Sequence, residues 1–398
     1  MIPIIRPWMD EAEAAAAARP ILSGWITQGP EVAAFEKEFA QAVGAPYACA
    51  VANCTAALHL ALLGVGVASG DEVITASHSY IATANSIRYT GALPVFADID
   101  AATFNLVPSQ VEAAISPRTR AILCVHQIGM PCDLEALLEI SRRHGVPLVE
   151  DAACAAGSEI LRHGRWERIG KPHGDIACFS FHPRKILSTG DGGMLTTRDA
   201  ALDAKFRRWR QHSMSVPDTM RHASGQVVFE SYPEIGYNYR MTDIQAAVGR
   251  EQLKRLTPAV ERRRALAARY RELLSSVPAV TPPLEPAFAR SNFQSYCVRL
   301  PEAADQITVM QHMLDAGVST RRAVMCSHRE PAYRAPDSWK CWKAGCEIQD
   351  GRCPALAESE RAQEHAIILP LFHQMTDEEQ QIVVRVLGEG IAAAGARR

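Results

Sequence analysis

From about residue 47 to 200 the chain alternates short apolar runs with longer segments whose apolar residues recur every three to four positions. That alternation predicts crossover units, in which parallel strands are joined by helices packed across a common sheet. Strands are expected over 47–51, 72–76, 94–97, 121–125, 147–150 and 176–181, and helices over 55–63, 81–89, 134–144 and 201–212. In such a fold the chemistry gathers where strands end, because loops at the carboxyl edge of a parallel sheet converge on one crevice.

A helical pattern over 241–273 leads away from this region and is followed by Pro282-Pro-Leu-Glu-Pro286. Beyond it, a strand at Tyr296-Cys-Val-Arg-Leu and a helix over 309–316 suit a small α+β domain. The expected division is a large α/β domain with an N-terminal arm over 1–255, and a small C-terminal domain over 256–398. The alanine-rich stretch 11–18 reads as a surface helix, and the chain has no internal repeat.

At 398 residues the chain is long enough to bury a full core. Its 42 Lys+Arg against 44 Asp+Glu give 42 − 44 = −2, without a long run of one sign, which argues against nucleic acid or an anionic membrane as partner. Met1-Ile-Pro-Ile-Ile-Arg-Pro lacks the basic start and apolar core of a signal peptide, and no apolar run approaches the ~20 residues of a membrane helix. A soluble, cytoplasmic protein is expected. The eleven cysteines, an odd count with several inside apolar strand patterns, read mostly as reduced core thiols. Cys341-x4-Cys346-x6-Cys353 matches no standard zinc spacing, so a loop with free thiols and no metal is expected there.

The candidate chemistry lies in Phe179-Ser-Phe-His-Pro-Arg-Lys185-Ile-Leu-Ser-Thr-Gly-Asp-Gly-Gly193, read with Val149-Glu-Asp151-Ala-Ala. A lysine closing an apolar strand, in a turn of small residues, is placed to hold a carbonyl compound as a Schiff base. An aspartate ending an earlier buried strand suits the ring nitrogen of pyridoxal phosphate, since a buried carboxylate beside a cation favours the charged form of that cation. Asn53-Cys54-Thr55-Ala56 forms a strand-to-helix turn whose amides and Thr55 hydroxyl suit a phosphate, although Asn-x-Thr equally reads as a helix cap.

Four motifs in order resemble the sugar aminotransferases of the DegT/DnrJ/EryC1/StrS family. They are Glu150-Asp151-Ala-Ala, Phe179-Ser-Phe-His-x-x-Lys185, Thr189-Gly-Asp-Gly-Gly-Met194 and Gly236-Tyr-Asn238-Tyr-Arg240-Met-Thr-Asp-Ile-Gln-Ala-Ala247. The resemblance runs from Gly24-Trp-Ile-Thr-Gln-Gly-Pro30 to Leu369-Pro-Leu371. It implies a fold-type I transferase using pyridoxal 5'-phosphate, a homodimer with shared active sites, and transfer of nitrogen from L-glutamate or glutamine to a nucleotide-linked keto deoxysugar.

By the same resemblance, Lys185 is the covalent and catalytic residue and Asp151 the partner of the ring nitrogen. Cys54, Thr55 and Ser180 would bind the phosphate, joined by Asn238 from the neighbouring subunit, and Tyr80 would stack on the ring. Cys154 stands where relatives commonly carry the Gln of Asp-Ala-Ala-Gln, and Cys54 where they usually carry Gly. Thr27, Arg240 and His328, with the run Thr320-Arg-Arg through Tyr333, match regions that approach the substrates. The dehydratase branch of the family has histidine in place of the lysine, so Lys185 argues against it. The remaining alternatives are a cyclitol ketone of the scyllo-inosose type as acceptor, and a pyridoxal-phosphate-binding regulator without turnover.

Overall fold

The computed structural model describes residues 1–216, 220, 221, 224–335, 337–349 and 351–395. In chain order the strands are β1 (Tyr47–Val51), β2 (Glu72–Ala76), β3 (Leu93–Ala97), β4 (Thr119–Val125), β5 (Leu148–Asp151), β6 (Glu159–Arg162) and β7 (Arg165–Arg168), followed by β8 (Ile176–Ser180), β9 (Gly193–Thr197), β10 (Ala289–Arg290), β11 (Tyr296–Arg299), β12 (Arg321–Arg322), β13 (Lys340–Cys341) and β14 (Ala366–Leu369). Eight form one sheet in the order β1-β9-β8-β5-β4-β2-β3-β13. Only β9 runs against its neighbours; the other pairings in this sheet are parallel. Helices cover this sheet, which is why β2, β5, β8 and β9 are buried along their whole length.

The helix Pro30–Val43, which the periodicity did not single out, packs beneath the strand that leads to Lys185. Phe39 meets Phe179 at 5.0 Å between ring centroids, and Phe35 meets Phe181 at 5.3 Å. The same helix carries Glu36, a buried carboxylate that accepts from the Ala50 amide at 2.9 Å and from Arg207 at 2.6 Å, and also pairs with Arg210. One helix thus ties β1, the lysine strand and the helix Ala200–Trp209 into one body.

A second apolar cluster, built on Tyr270, Tyr296, Val309, Leu369, Phe372 and Val383, surrounds the three-stranded sheet β11-β14-β12. The helical pattern over 241–273 is two helices, Asp243–Lys254 and Leu256–Leu273. The break has a covalent cause: Pro258 has no N–H to give the carbonyl four residues earlier, and its ring crowds that carbonyl. The alanine-rich stretch extends to the helix Glu11–Ser23 and is a surface helix on one side only. Glu13, Ala16 and Pro20 are buried, and Glu13 accepts from Gln252 of the helix Asp243–Lys254 at 2.8 Å. The helix expected over 201–212 ends at Trp209, because His212 and Ser213 both take left-handed backbone angles (φ 61°). Among the described residues no helix is long and apolar enough to cross a membrane.

Candidate active site

A cavity of about 800 Å³ opens at the carboxyl edge of the large sheet, between that sheet and the smaller one. One wall is made by the segments that follow β1, β2, β4, β5 and β8: Asn53 to Ala56, Ser79 to Thr83, Gln127, Asp151 to Cys154 and Ser180 to Lys185. The opposite wall carries Gln294, Ser295 and Arg321 to Met325. The loops of five strands therefore meet at one place, as a parallel sheet requires.

Lys185 follows β8 in a tight turn, its amide donating to the His182 carbonyl at 2.8 Å, while Ser188 Oγ donates to the Phe181 carbonyl at 3.1 Å. Gln294 Nε2 holds the Arg184 carbonyl from the opposite wall at 2.7 Å. The half-buried Lys185 then donates from Nζ to Cys154 Sγ at 3.0 Å. Burial works against its ammonium, but Cys154, and further off Cys54 and Asp151, outweigh burial, so the amine titrates above the ordinary lysine range.

Asp151 closes β5 and is buried. Thr83 Oγ1 donates to its Oδ2 at 2.8 Å, and the Ala153 amide donates to Oδ1 at 3.1 Å; Ser79 Oγ and Thr83 Oγ1 share a hydrogen bond of 2.7 Å. Burial pushes the carboxyl up from the usual aspartate range, and the Thr83 and Ala153 donors with Lys185 offset only part of that. A cation beside this carboxylate would relieve the cost of keeping it ionised out of water.

The Asn-x-Thr turn is a helix cap whose first turn faces the cavity. Asn53 caps the helix Cys54–Gly64, its Oδ1 accepting from the Ala56 amide at 2.9 Å, and Cys54 and Thr55 in the first turn line the cavity. Gly193 is fixed by this turn: a Cβ there would lie 2.5 Å from the Asn53 carbonyl carbon and 2.8 Å from the Cys54 nitrogen. Ser180 lines the same cavity, as does Tyr80, which is 62% exposed. Cys54 is buried, and burial raises its thiol well above the ordinary range.

The structure thus brings Cys54, Thr55, Tyr80, Asp151, Cys154, Ser180 and Lys185 to one cavity. It does not bring the other four there. Thr27 and Asn238 are exposed and Arg240 half-exposed, all outside the cavity wall of their own chain. His328 is buried behind the wall, with Nδ1 2.6 Å from Ser77 Oγ and Nε2 3.0 Å from Glu360 Oε1, so both ring nitrogens are engaged within the protein. The members of that run which reach the cavity are Arg321 to Met325, of which Arg321 and Arg322 are charged. Thr83, Gln127, His182, Gln294 and Tyr239 also line it and were not singled out. Thr83 had a signal, a hydroxyl one turn beyond Tyr80 in a helix start; Gln294 had none, lying over a hundred residues from the lysine it steadies.

These groups fit pyridoxal phosphate: an amine for its aldehyde, a buried carboxylate for its ring nitrogen, and a helix start with neighbouring hydroxyls for its phosphate. On this sheet order they define a fold-type I transferase that uses that cofactor. The chain belongs to the DegT/DnrJ/EryC1/StrS aminotransferase family, whose sequence profile matches residues 7–388. It is 35% identical to the spore coat polysaccharide biosynthesis protein SpsC of Bacillus subtilis, over 99% of this chain and 98% of that one. The aminotransferase TlmJ of Streptoalloteichus hindustanus superposes with a TM-score of 0.86 at 34% identity, covering 99% of both chains. The structure of 3-amino-5-hydroxybenzoic acid synthase superposes with the same TM-score at 28% identity and the same coverage. The protein is a pyridoxal-phosphate-dependent aminotransferase, not a regulator that merely binds the cofactor.

Proposed function

We propose that this aminotransferase moves the amino group of L-glutamate, or less often glutamine, to a keto group of a nucleotide-linked deoxysugar. The observation that carries this reading is the cavity itself: about 800 Å³, with Lys185 and Asp151 on one wall and Arg321 and Arg322 on the other. An amino acid alone needs little of that space, and the planar fork of arginine suits both the donor's carboxylate and a diphosphate.

The cofactor, when bound, supplies an aldehyde to carry nitrogen and a ring that accepts the electron pair left by deprotonation. Lys185 would hold it through Nζ, and that amine, once free, would take the proton from the substrate carbon and return it. Asp151 would keep the ring nitrogen protonated, with Thr83 and the Ala153 amide fixing the carboxylate. Tyr80 would cover the ring face, and Cys54, Thr55 and Ser180, which line the same cavity, would hold the phosphate. After charging with L-glutamate, the enzyme is expected to be restored by a nucleotide-linked keto-deoxyhexose much faster than by pyruvate or oxaloacetate, followed as stopped-flow recovery of the cofactor's absorbance. Equal or faster recovery with simple 2-oxo acids would reject a sugar acceptor. A response confined to scyllo-inosose-like ketones would favour a cyclitol.

The same reading makes the enzyme a homodimer in which Asn238 of one protomer completes the phosphate site of its partner. Its exposed position outside its own cavity supports this. Mixing an inactive Lys185→Ala chain with an inactive Asn238→Asp chain under conditions of subunit exchange is expected to restore activity, because one of the two hybrid sites is then native. No rescue in heterodimers isolated by orthogonal tags would refute the shared site.

A further inference from the structure

The three cysteines whose spacing argued for free thiols are gathered by the fold. Cys346 Sγ lies 3.3 Å from Cys353 Sγ, Cys353 Sγ lies 3.5 Å from Cys341 Sγ, and all three fall within 4.8 Å of one another. These separations are too long for a disulfide, whose sulfurs are about 2.05 Å apart. They approach the edge of a tetrahedron drawn around one zinc ion, about 3.8 Å for Zn–S bonds of about 2.3 Å. Three uncharged thiols at these distances share only weak S–H···S hydrogen bonds, whereas three thiolates around one cation would each gain a metal–sulfur bond.

The elements around them explain how an irregular spacing converges. Cys341 ends β13, which pairs with β3 at the edge of the large sheet. From there the chain makes a loop in which the Cys346 amide donates to the Lys343 carbonyl at 3.3 Å and Gln349 bridges Arg352. Cys353 is buried among Phe96, Tyr333, Trp339 and Leu356, and its amide donates to Glu360 Oε1 at 2.7 Å. Sheet edge and buried anchor fix the first and last thiols, and the turn carries the half-buried middle one to them. None of the three lines the active-site cavity.

We propose that Cys341, Cys346 and Cys353 together bind one zinc ion, which staples the loop carrying Cys346 and Cys353 to the edge of the sheet at Cys341. On binding, the three thiols each lose a proton to solvent and form three Zn–S bonds, leaving the fourth tetrahedral position to water on the exposed side of Cys346. No redox step is involved. The site reaches the active-site wall through a defined path: the Cys353 amide and His328 Nε2 share Glu360 Oε1, and His328 Nδ1 holds Ser77 Oγ in the segment that follows β2. The proposal is independent of which acceptor the enzyme uses.

The test uses the full-length, cofactor-loaded protein freed of any metal-binding tag, kept reduced and desalted after exposure to zinc. Elemental analysis is expected to give one zinc per chain, falling several-fold or more in Cys346→Ser, whose half-exposed side chain makes misfolding the least concern. Cobalt exchanged into the wild-type protein is expected to give the intense long-wavelength bands of a thiolate-rich tetrahedral site, beyond the cofactor's absorption, and to give none in that variant. Chelation is expected to speed tryptic cleavage after Lys343 or Arg352 by on the order of tenfold, as a loop loses its staple. Zinc that washes off on desalting, a cobalt spectrum unchanged by Cys346→Ser, or a disulfide within the trio in freshly isolated protein would each overturn the proposal.

Discussion

Lys185→Ala is expected to abolish steady-state transamination, by at least about 10⁴-fold, while the protein still folds. The fold should survive because the turn around residue 185 is held by groups other than its side chain. These are the bond from its own amide to the His182 carbonyl, Ser188 on the Phe181 carbonyl, and Gln294 on the Arg184 carbonyl. What is lost is Nζ, the only amine this turn places beside Cys154 and close to Asp151. Borohydride treatment of the loaded wild-type enzyme should fix the cofactor on Lys185, as read by peptide mapping, and should label nothing in the variant. A pyridoxyl group on another lysine, or appreciable turnover by the variant, would sink the covalent role. The raised titration of this amine adds a pH dependence. Only the neutral amine attacks an aldehyde, so cofactor loading of the bare protein should accelerate about tenfold per pH unit while the amine remains mostly protonated.

The sequence carried much of this, unevenly. The strands of the large sheet were legible where both faces are buried, since a short apolar run between turn residues has few other uses. The strand β9 was not, because its apolar residues follow Thr189-Gly-Asp-Gly-Gly and read as part of a loop; only pairing with β1 and β8 makes it a strand. The two-residue strand β13 had no periodicity to offer at all. The site divides in the same way. Lys185, Asp151 and the Asn53 turn stand in local motifs with a mechanism attached. Gln294, Arg321 and the convergence of Cys341, Cys346 and Cys353 depend on how distant segments meet, which no local pattern encodes. His328 shows the converse: it lies in a run that reaches the cavity, yet it is buried behind the wall with two intramolecular partners, which no local pattern announces.

Asp151→Asn is expected to retain the cofactor but lose on the order of 10²- to 10³-fold in kcat, the usual consequence of removing one charge from a buried charge pair. Retention follows from the geometry, because the Cys54 and Thr55 helix start and Lys185 are untouched by the change. The rate falls because an amide leaves the ring nitrogen's proton without a counter-charge, and an unprotonated ring is a poor sink for the electrons released at the substrate carbon. Thr83 separates this electrostatic effect from mere positioning. Its hydroxyl donates to Asp151 Oδ2 and is itself paired with Ser79, so Thr83→Val should leave the carboxylate in place with one donor fewer and cost roughly tenfold. The two variants should also differ spectroscopically: Asp151→Asn should remove the absorbance of the ring-protonated cofactor at neutral pH, and Thr83→Val should leave it. If Thr83→Val proved as slow as Asp151→Asn with its ring still protonated, the carboxylate would be acting through position rather than charge, and the role assigned to Asp151 would fail.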